Sequence, residues 1–174
     1  FPVWYKEQTG EDIRIIYQVF DINEIMLTKI ERGQEDFDLV CPSEYIIERM
    51  LKKDLLLPIN RNFGKTPDYI PNISPYIQKE LEKISQPGRH TNDYVVPYMW
   101  GTAGILYNKK FKTLEEVSSW GCLWDAVNRG KILMKDSYRD AYGTAIIYAH
   151  ARQLADSTIT VEQLMNDNSP EAIA

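Results

Sequence analysis

The sequence predicts an α/β fold in which a mostly parallel sheet is flanked by helices. Two observations point there: runs with alternating apolar residues take turns along the chain with runs of helical apolar spacing, and no internal repeat relates them. Consecutive parallel strands need a crossover helix, so repeated strand-then-helix units imply that layering. The 174 residues are 44% hydrophobic, enough to bury a core in one domain or two small lobes.

The chain opens on Phe1-Pro2-Val3-Trp4-Tyr5 with helical composition that stops at Thr9-Gly10. Residues 13–20 read as a strand covered on both faces, with Ile13, Ile15, Tyr17 and Val19 on one side and Ile16 and Phe20 on the other. Asp21 stands as an N-cap with Glu24 in the capping-box position, and Ile22, Met26 and Ile30 mark one helical face until Gly33 ends the helix. Residues 37–41 form a short strand ended by Pro42. Ser43 caps the next helix, whose Ile46, Ile47, Met50 and Leu51 make an apolar stripe. Residues 55–59 are a further extended piece, followed by a loop containing Pro, Asn and Gly. Ser74-Pro75 then supplies a cap and a first-turn proline for a helix over 76–84, broken by Gln86-Pro87-Gly88. Extended segments 94–99 and 102–108 flank Trp100-Gly101, the best candidate for a crossing between lobes. Thr113 with Glu116 opens a short helix by the same capping logic, and 131–135 is a strand. Residues 138–155 carry the longest helical pattern despite Gly143, and 160–167 form the last helix.

A net charge of −5 without any basic run argues against nucleic acid and anionic membranes as partners, and an acidic surface suits a cationic ligand. Cys41 and Cys122 have no metal-ligand or redox spacing and are expected as two buried free thiols. No stretch approaches the apolar length of a membrane span, and no targeting signal opens the chain. The start without Met, and the end at Ser169-Pro170-Glu171-Ala172-Ile173-Ala174 without a closing element, read as a piece cut from a longer chain.

Three segments in this order and spacing carry a resemblance: Phe20-Asp21-Ile22-Asn23-Glu24; Phe37-Asp38-Leu39-Val40-Cys41-Pro42-Ser43-Glu44-Tyr45; and Pro97-Tyr98-Met99-Trp100-Gly101-Thr102-Ala103-Gly104-Ile105. Together with Trp120, Leu123-Trp124 and residues 132–140, the sequence resembles the spermidine/putrescine-binding proteins of bacterial ABC importers over nearly its whole length. The resemblance implies a periplasmic-binding-protein-like, type II fold with two lobes and a ligand closed in the cleft. Residues 1–99 would be the first lobe, 100–112 the lobe-crossing hinge and 113–174 the start of the second lobe. It implies an incomplete chain, lacking the first strand and much of the second lobe, whose unpaired sheet edge would favour association with a second copy. The implied partners are a polyamine or related small cation and an ABC permease. The implied place is the periplasm, or the outer surface of a Gram-positive cell by a lipid anchor.

A polyamine is a methylene chain punctuated by ammonium groups, so its site needs carboxylates and other oxygen acceptors at the charges and aromatic faces between them. By the resemblance, Ser43 and Tyr45 match cleft residues; the competing readings are an ordinary N-cap for Ser43 and packing for Tyr45. The same helix N-terminus would repel a cation, which the hydroxyl oxygen would have to outweigh. Asp140 matches an acidic residue that pairs with ligand nitrogen, shortened here from glutamate; otherwise it is a first-turn helix carboxylate or a partner for Arg139. Ser137 stands where the family often has a second carboxylate, and Asp136 substitutes for it only if the backbone presents it toward the ligand. Tyr98 and Trp100 fit bracing of the hinge better than stacking on ligand.

No nucleophile elbow, phosphate loop or dinucleotide fingerprint is present, and neither His90 nor His150 is flanked by a recognisable base or metal set. The expectation is therefore a binding protein without catalytic residues, metal or cofactor. A hydrolase using Asp136 and Asp140, or Ser43, is the alternative from another class, and a receptor sensor domain for another small cationic solute is a third.

Overall fold

The computed structural model describes residues 1–167, 169 and 170; the terminal stretch Glu171 to Ala174 lies outside the described residues. The chain divides into two compact units, Phe1–Gly101 and Thr102–Ala174.

In the first unit the core is built by two short amphipathic helices. Helix α1 spans Pro2–Thr9, α2 Asn23–Glu31 and α3 Glu44–Lys52. Met26 and Leu27 of α2 and Ile46 and Met50 of α3 form the buried cluster, with Ile30, Phe37, Val40, Tyr45, Leu55 and Leu56 packed around it. These are the positions that helical spacing puts on facing stripes. Helix α2 stops at Gly33, whose positive φ of 64° suits a residue without Cβ while Gln34 N–H donates back to the Lys29 carbonyl at 2.9 Å. Helix α3 is closed by Arg89, which donates to the Leu51 carbonyl at 2.8 Å and pairs with Asp54 at 2.7 Å. Helix α4, Pro75–Glu82, begins on the expected Ser74-Pro75 pair, and its end is tied to the turn around the antiparallel bridge Gln86–Arg89. There the Glu82 carboxylate accepts from Ser85 and Asn92 and contacts His90 Nδ1, while Ser85 holds the fully buried Thr91.

The second unit has α5, Tyr138–Ala149, α6, Ala151–Ala155, and α7, Val161–Asn166, preceded by three 3-10 turns over Glu115–Val117, Trp120–Trp124 and Ala126–Asn128. The reciprocal Thr113–Glu116 pair is present: Glu116 accepts from the Thr113 N–H at 2.8 Å and Thr113 Oγ1 accepts from Glu116 N–H at 3.4 Å. The expected single helix over 138–155 is broken at His150, whose backbone N–H and ring Nδ1 both meet the Ile146 carbonyl. Gly143 has a packing reason, since a Cβ there would lie 3.0 Å from the Met165 methyl of α7. Trp124 stacks on Tyr148 with ring centroids 4.2 Å apart.

Three further expectations change. No β-strand forms among the described residues; the segments expected as strands, 13–20, 37–41, 55–59, 94–99, 102–108 and 131–135, run as irregular chain. Among the described residues, no backbone–backbone hydrogen bond involves 11–21 or 35–42. Alternation states what a segment does when a neighbour pairs with it, and among the described residues no ladder forms on these segments, although Ile59 N–H donates to the Asp93 carbonyl at 2.8 Å. As a result Tyr17 is 84% exposed and Leu106 and Leu133 are fully exposed. Cys41, in one such segment, is a free but exposed thiol rather than a buried one, while Cys122 is half-buried. Finally, Asp21 does not cap α2: the helix begins two residues later with Ile22 at the cap position, which frees Glu24 from the capping box. No helix among the described residues is long and apolar enough to cross a membrane.

Candidate functional site

The first-unit residues expected at the site are brought together by the N-termini of α2 and α3. Ser43 has the extended backbone of an N-cap, φ −70° and ψ 158°, yet its side chain makes no capping hydrogen bond. Its Oγ instead accepts from Asn23 Nδ2 at 3.0 Å. The same Asn23 amide donates to Tyr45 Oη at 3.2 Å, and Tyr45 Oη donates to Glu24 Oε1 at 3.0 Å. Tyr45 stands near the start of α3, where its ring joins the core cluster and its hydroxyl reaches back to α2. All four side chains are half-buried. The arrangement is a relay of acceptors: an amide orients two hydroxyl oxygens, and the phenol proton is directed onto a carboxylate.

The second-unit residues meet at the start of α5. Ser137 is the N-cap and accepts from the Asp140 N–H at 3.4 Å. Asp140 Oδ2 pairs with Lys135 Nζ at 2.7 Å. The Lys135 ammonium, with Ser137 and Arg139 assisting, holds the Asp140 carboxyl below its ordinary value, against the opposing effect of partial burial. Asp136 lies exposed on the turn between Lys135 and Ser137.

Tyr98 and Trp100 are exposed and line an open cavity of about 390 Å³ with Tyr69, Ser74 and Ile77 in the first unit. A second cavity, about 530 Å³, is lined by Phe1, Trp4, Tyr5, Thr66, Pro67 and Tyr69. Neither lining contains a carboxylate, so neither is suited to an ammonium by itself. Among the described residues no group of three or more His, Cys, Asp or Glu side chains is placed to hold a metal ion.

Asn23, Glu24 and Lys135 are not among the site residues that the sequence predicts, although Asn23 and Glu24 lie in the first motif of the resemblance. Local patterns could not have found the roles of Asn23 and Glu24, which reach partners 20 to 22 residues away, whereas Lys135 pairs with Asp140 only five positions on.

The comparisons define a class for a chain with oxygen acceptors at two helix starts. The chain is similar to periplasmic binding proteins for polyamines, as its sequence motifs suggest. It is 29% identical over 143 residues to the spermidine/putrescine-binding periplasmic protein of Escherichia coli (strain K12), covering 82% of this chain and 38% of that protein. It is 31% identical over 154 residues to the putrescine-binding periplasmic protein PotF of the same organism, covering 83% and 39%. The putrescine-binding periplasmic protein SpuD of Pseudomonas aeruginosa (strain UCBPP-PA14) is 30% identical over 133 residues, covering 74% and 34%. The chain thus spans little more than a third of the length of the curated relatives it matches. No family profile and no solved structure matches it.

Proposed function

We propose that this chain is part of an extracytoplasmic solute-binding protein that captures polyamines and delivers them to an ABC permease. In this reading the parent fold is the type II periplasmic-binding-protein fold with a mostly parallel sheet. Residues 1–99 belong to the first lobe, 100–112 to the crossing and 113–174 to the start of the second lobe. Ser43 and Tyr45 supply one half of the ligand contacts, Asp140 with Ser137 and Asp136 the other. The protein works in the periplasm, or lipid-anchored outside a Gram-positive cell, and it performs no chemistry on its ligand.

The observation that carries the reading is the acceptor cluster at the start of α3, where the Asn23 amide joins Ser43 to Tyr45 and Tyr45 meets the Glu24 carboxylate. An ammonium loses its water shell on binding and must find oxygen acceptors in return. A net charge of −5 favours the approach of a cation. The polyamine names of the relatives select the ligand class.

A second reading, a binding protein for a smaller cationic solute, is favoured by the second half-site. Lys135 already occupies Asp140, and Ser137 replaces a carboxylate, so that side offers less net negative charge to a ligand ammonium.

Isothermal titration of spermidine, putrescine and shorter diamines, into this chain and into a chain of the relatives' length that contains it, decides between them. Saturable binding of spermidine or putrescine supports the first reading. Binding of shorter diamines alone supports the second, and absence of heat with every cation by folded protein sinks both.

A further inference from the structure

We propose that Asn23 and Glu24 are positioning and selectivity residues of the polyamine site, which turn the hydroxyls of Ser43 and Tyr45 into acceptors for an ammonium group. The inference rests on the polyamine reading and adds to it two residues and the reason the site favours a cation.

A helix start presents positive partial charge and repels a cation, yet Ser43 and Tyr45 stand at the start of α3. The geometry answers this difficulty. A tyrosine hydroxyl can present either its proton or its lone pairs to a ligand. Here the proton is committed to Glu24 Oε1 at 3.0 Å, so the phenol oxygen faces other partners as an acceptor. Asn23 Nδ2 donates to that oxygen at 3.2 Å and to Ser43 Oγ at 3.0 Å, holding the two acceptors side by side. A serine hydroxyl oxygen has two lone pairs, so the Asn23 amide N–H on Ser43 Oγ leaves that oxygen capacity to receive an ammonium N–H. The full negative charge of Glu24 acts through the polarised phenol and offsets the field of the helix start. Ser43 makes no capping bond, so ligand binding need not compete with helix stability at that residue.

A merely structural network would be equally well served by a neutral partner for Tyr45. Glutamine keeps the shape but removes the charge, and its amide can donate to the phenol oxygen, turning the phenol proton outward toward the cation. The test is a double-mutant cycle on the chain with Glu24→Gln, Tyr45→Phe and their combination, each titrated with putrescine and spermidine and each checked for helix content and melting temperature. Glu24→Gln is expected to weaken binding about tenfold with little change in melting temperature, and Tyr45→Phe to weaken it comparably. The combination should weaken it no further than either alone, because the carboxylate acts through the phenol. Asn23→Asp, which repels Glu24 and cannot donate as the amide does, should also weaken binding.

Unchanged affinity in Glu24→Gln, or strictly additive losses in the cycle, overturns the inference while leaving the polyamine reading intact. If Glu24→Gln does not fold, Tyr45→Phe and Asn23→Asp break the same relay from its other members, and unchanged affinity in both overturns it equally. Absence of polyamine binding both by the unaltered chain and by the longer chain that contains it sinks the reading and this inference together.

Discussion

Asp140 is the residue whose environment most alters what it can do. Its carboxylate is held by the Lys135 ammonium at 2.7 Å, so in the proposed polyamine site a ligand would have to displace a tethered cation before pairing there. Both side chains are largely exposed, and such pairs contribute only about 0.2–1 kcal/mol. Lys135→Met should therefore tighten polyamine binding about two- to fivefold, read by titration calorimetry. Weaker binding in that variant would show that Lys135 supports the site instead of competing for it. Glu82 is the second residue with a marked environment. Burial pushes its carboxyl up, but hydrogen bonds from Ser85, His90 and Asn92 outweigh this and hold it below its ordinary value. A depressed folded value means that the stability it contributes is complete above the unfolded value and is lost as pH falls through the folded one. Melting temperature followed from pH 6 downward should thus fall more steeply below about 4.5 in the native chain than in Glu82→Gln. Parallel curves would show that Glu82 is not coupled to folding.

Among the elements, α7 shows what a local signal can secure. Thr160 accepts from the Gln163 N–H at 3.1 Å, and the Gln163 side chain accepts from the Thr160 N–H at 2.8 Å, closing both halves of a capping box. The box positions a helix of six residues that could not persist alone and that buries Leu164 while Met165 meets Gly143 of α5. Thr160→Ala should cost about 1 kcal/mol of unfolding free energy, measured by urea titration. A cost near zero would mean that packing of Leu164 alone holds α7. The pairing of α2 with α3 is of a different kind, since neither helix has a side-chain cap bond and both depend on the shared apolar cluster. That dependence joins the candidate site to the core, because Tyr45 belongs to both.

At the scale of the molecule, the chain is a pair of separately built units whose helices are packed while the segments between them lack ladder partners. Amide protection requires a hydrogen bond or burial, and, among the described residues, 11–21 have no backbone–backbone bond, Glu11 N–H alone meeting Thr9 Oγ1, while most of their apolar side chains face solvent. Hydrogen exchange should therefore be fast in 11–21 and 35–42 and slow in the paired part of α2 and α3. Protection of 11–21 equal to that of α3 would show that a partner strand forms in solution. Thiol labelling provides a companion reading, with Cys41 expected to react ahead of Cys122.

What the residues alone determined is local. The stop of α2 at Gly33, the Ser74-Pro75 start of α4, the Thr113–Glu116 pair and the last helix near 160–167 all follow from side chains within a few positions of the backbone they satisfy. Motif order also carried the polyamine resemblance, which the comparisons bear out. Ser43, Tyr45, Ser137, Asp136 and Asp140 were legible as candidates, but not what each one touches. Only the tertiary structure decided that Ser43 serves Asn23 rather than its own helix, that Glu24 leaves a cap to meet Tyr45, and that Lys135 claims Asp140. It also decided that alternating segments stay unpaired and that Cys41 lies open. The reason is the range of the interaction: a cap or a turn is written within one helical turn of sequence, whereas a ladder partner or a contact twenty residues away depends on where the rest of the chain comes to lie.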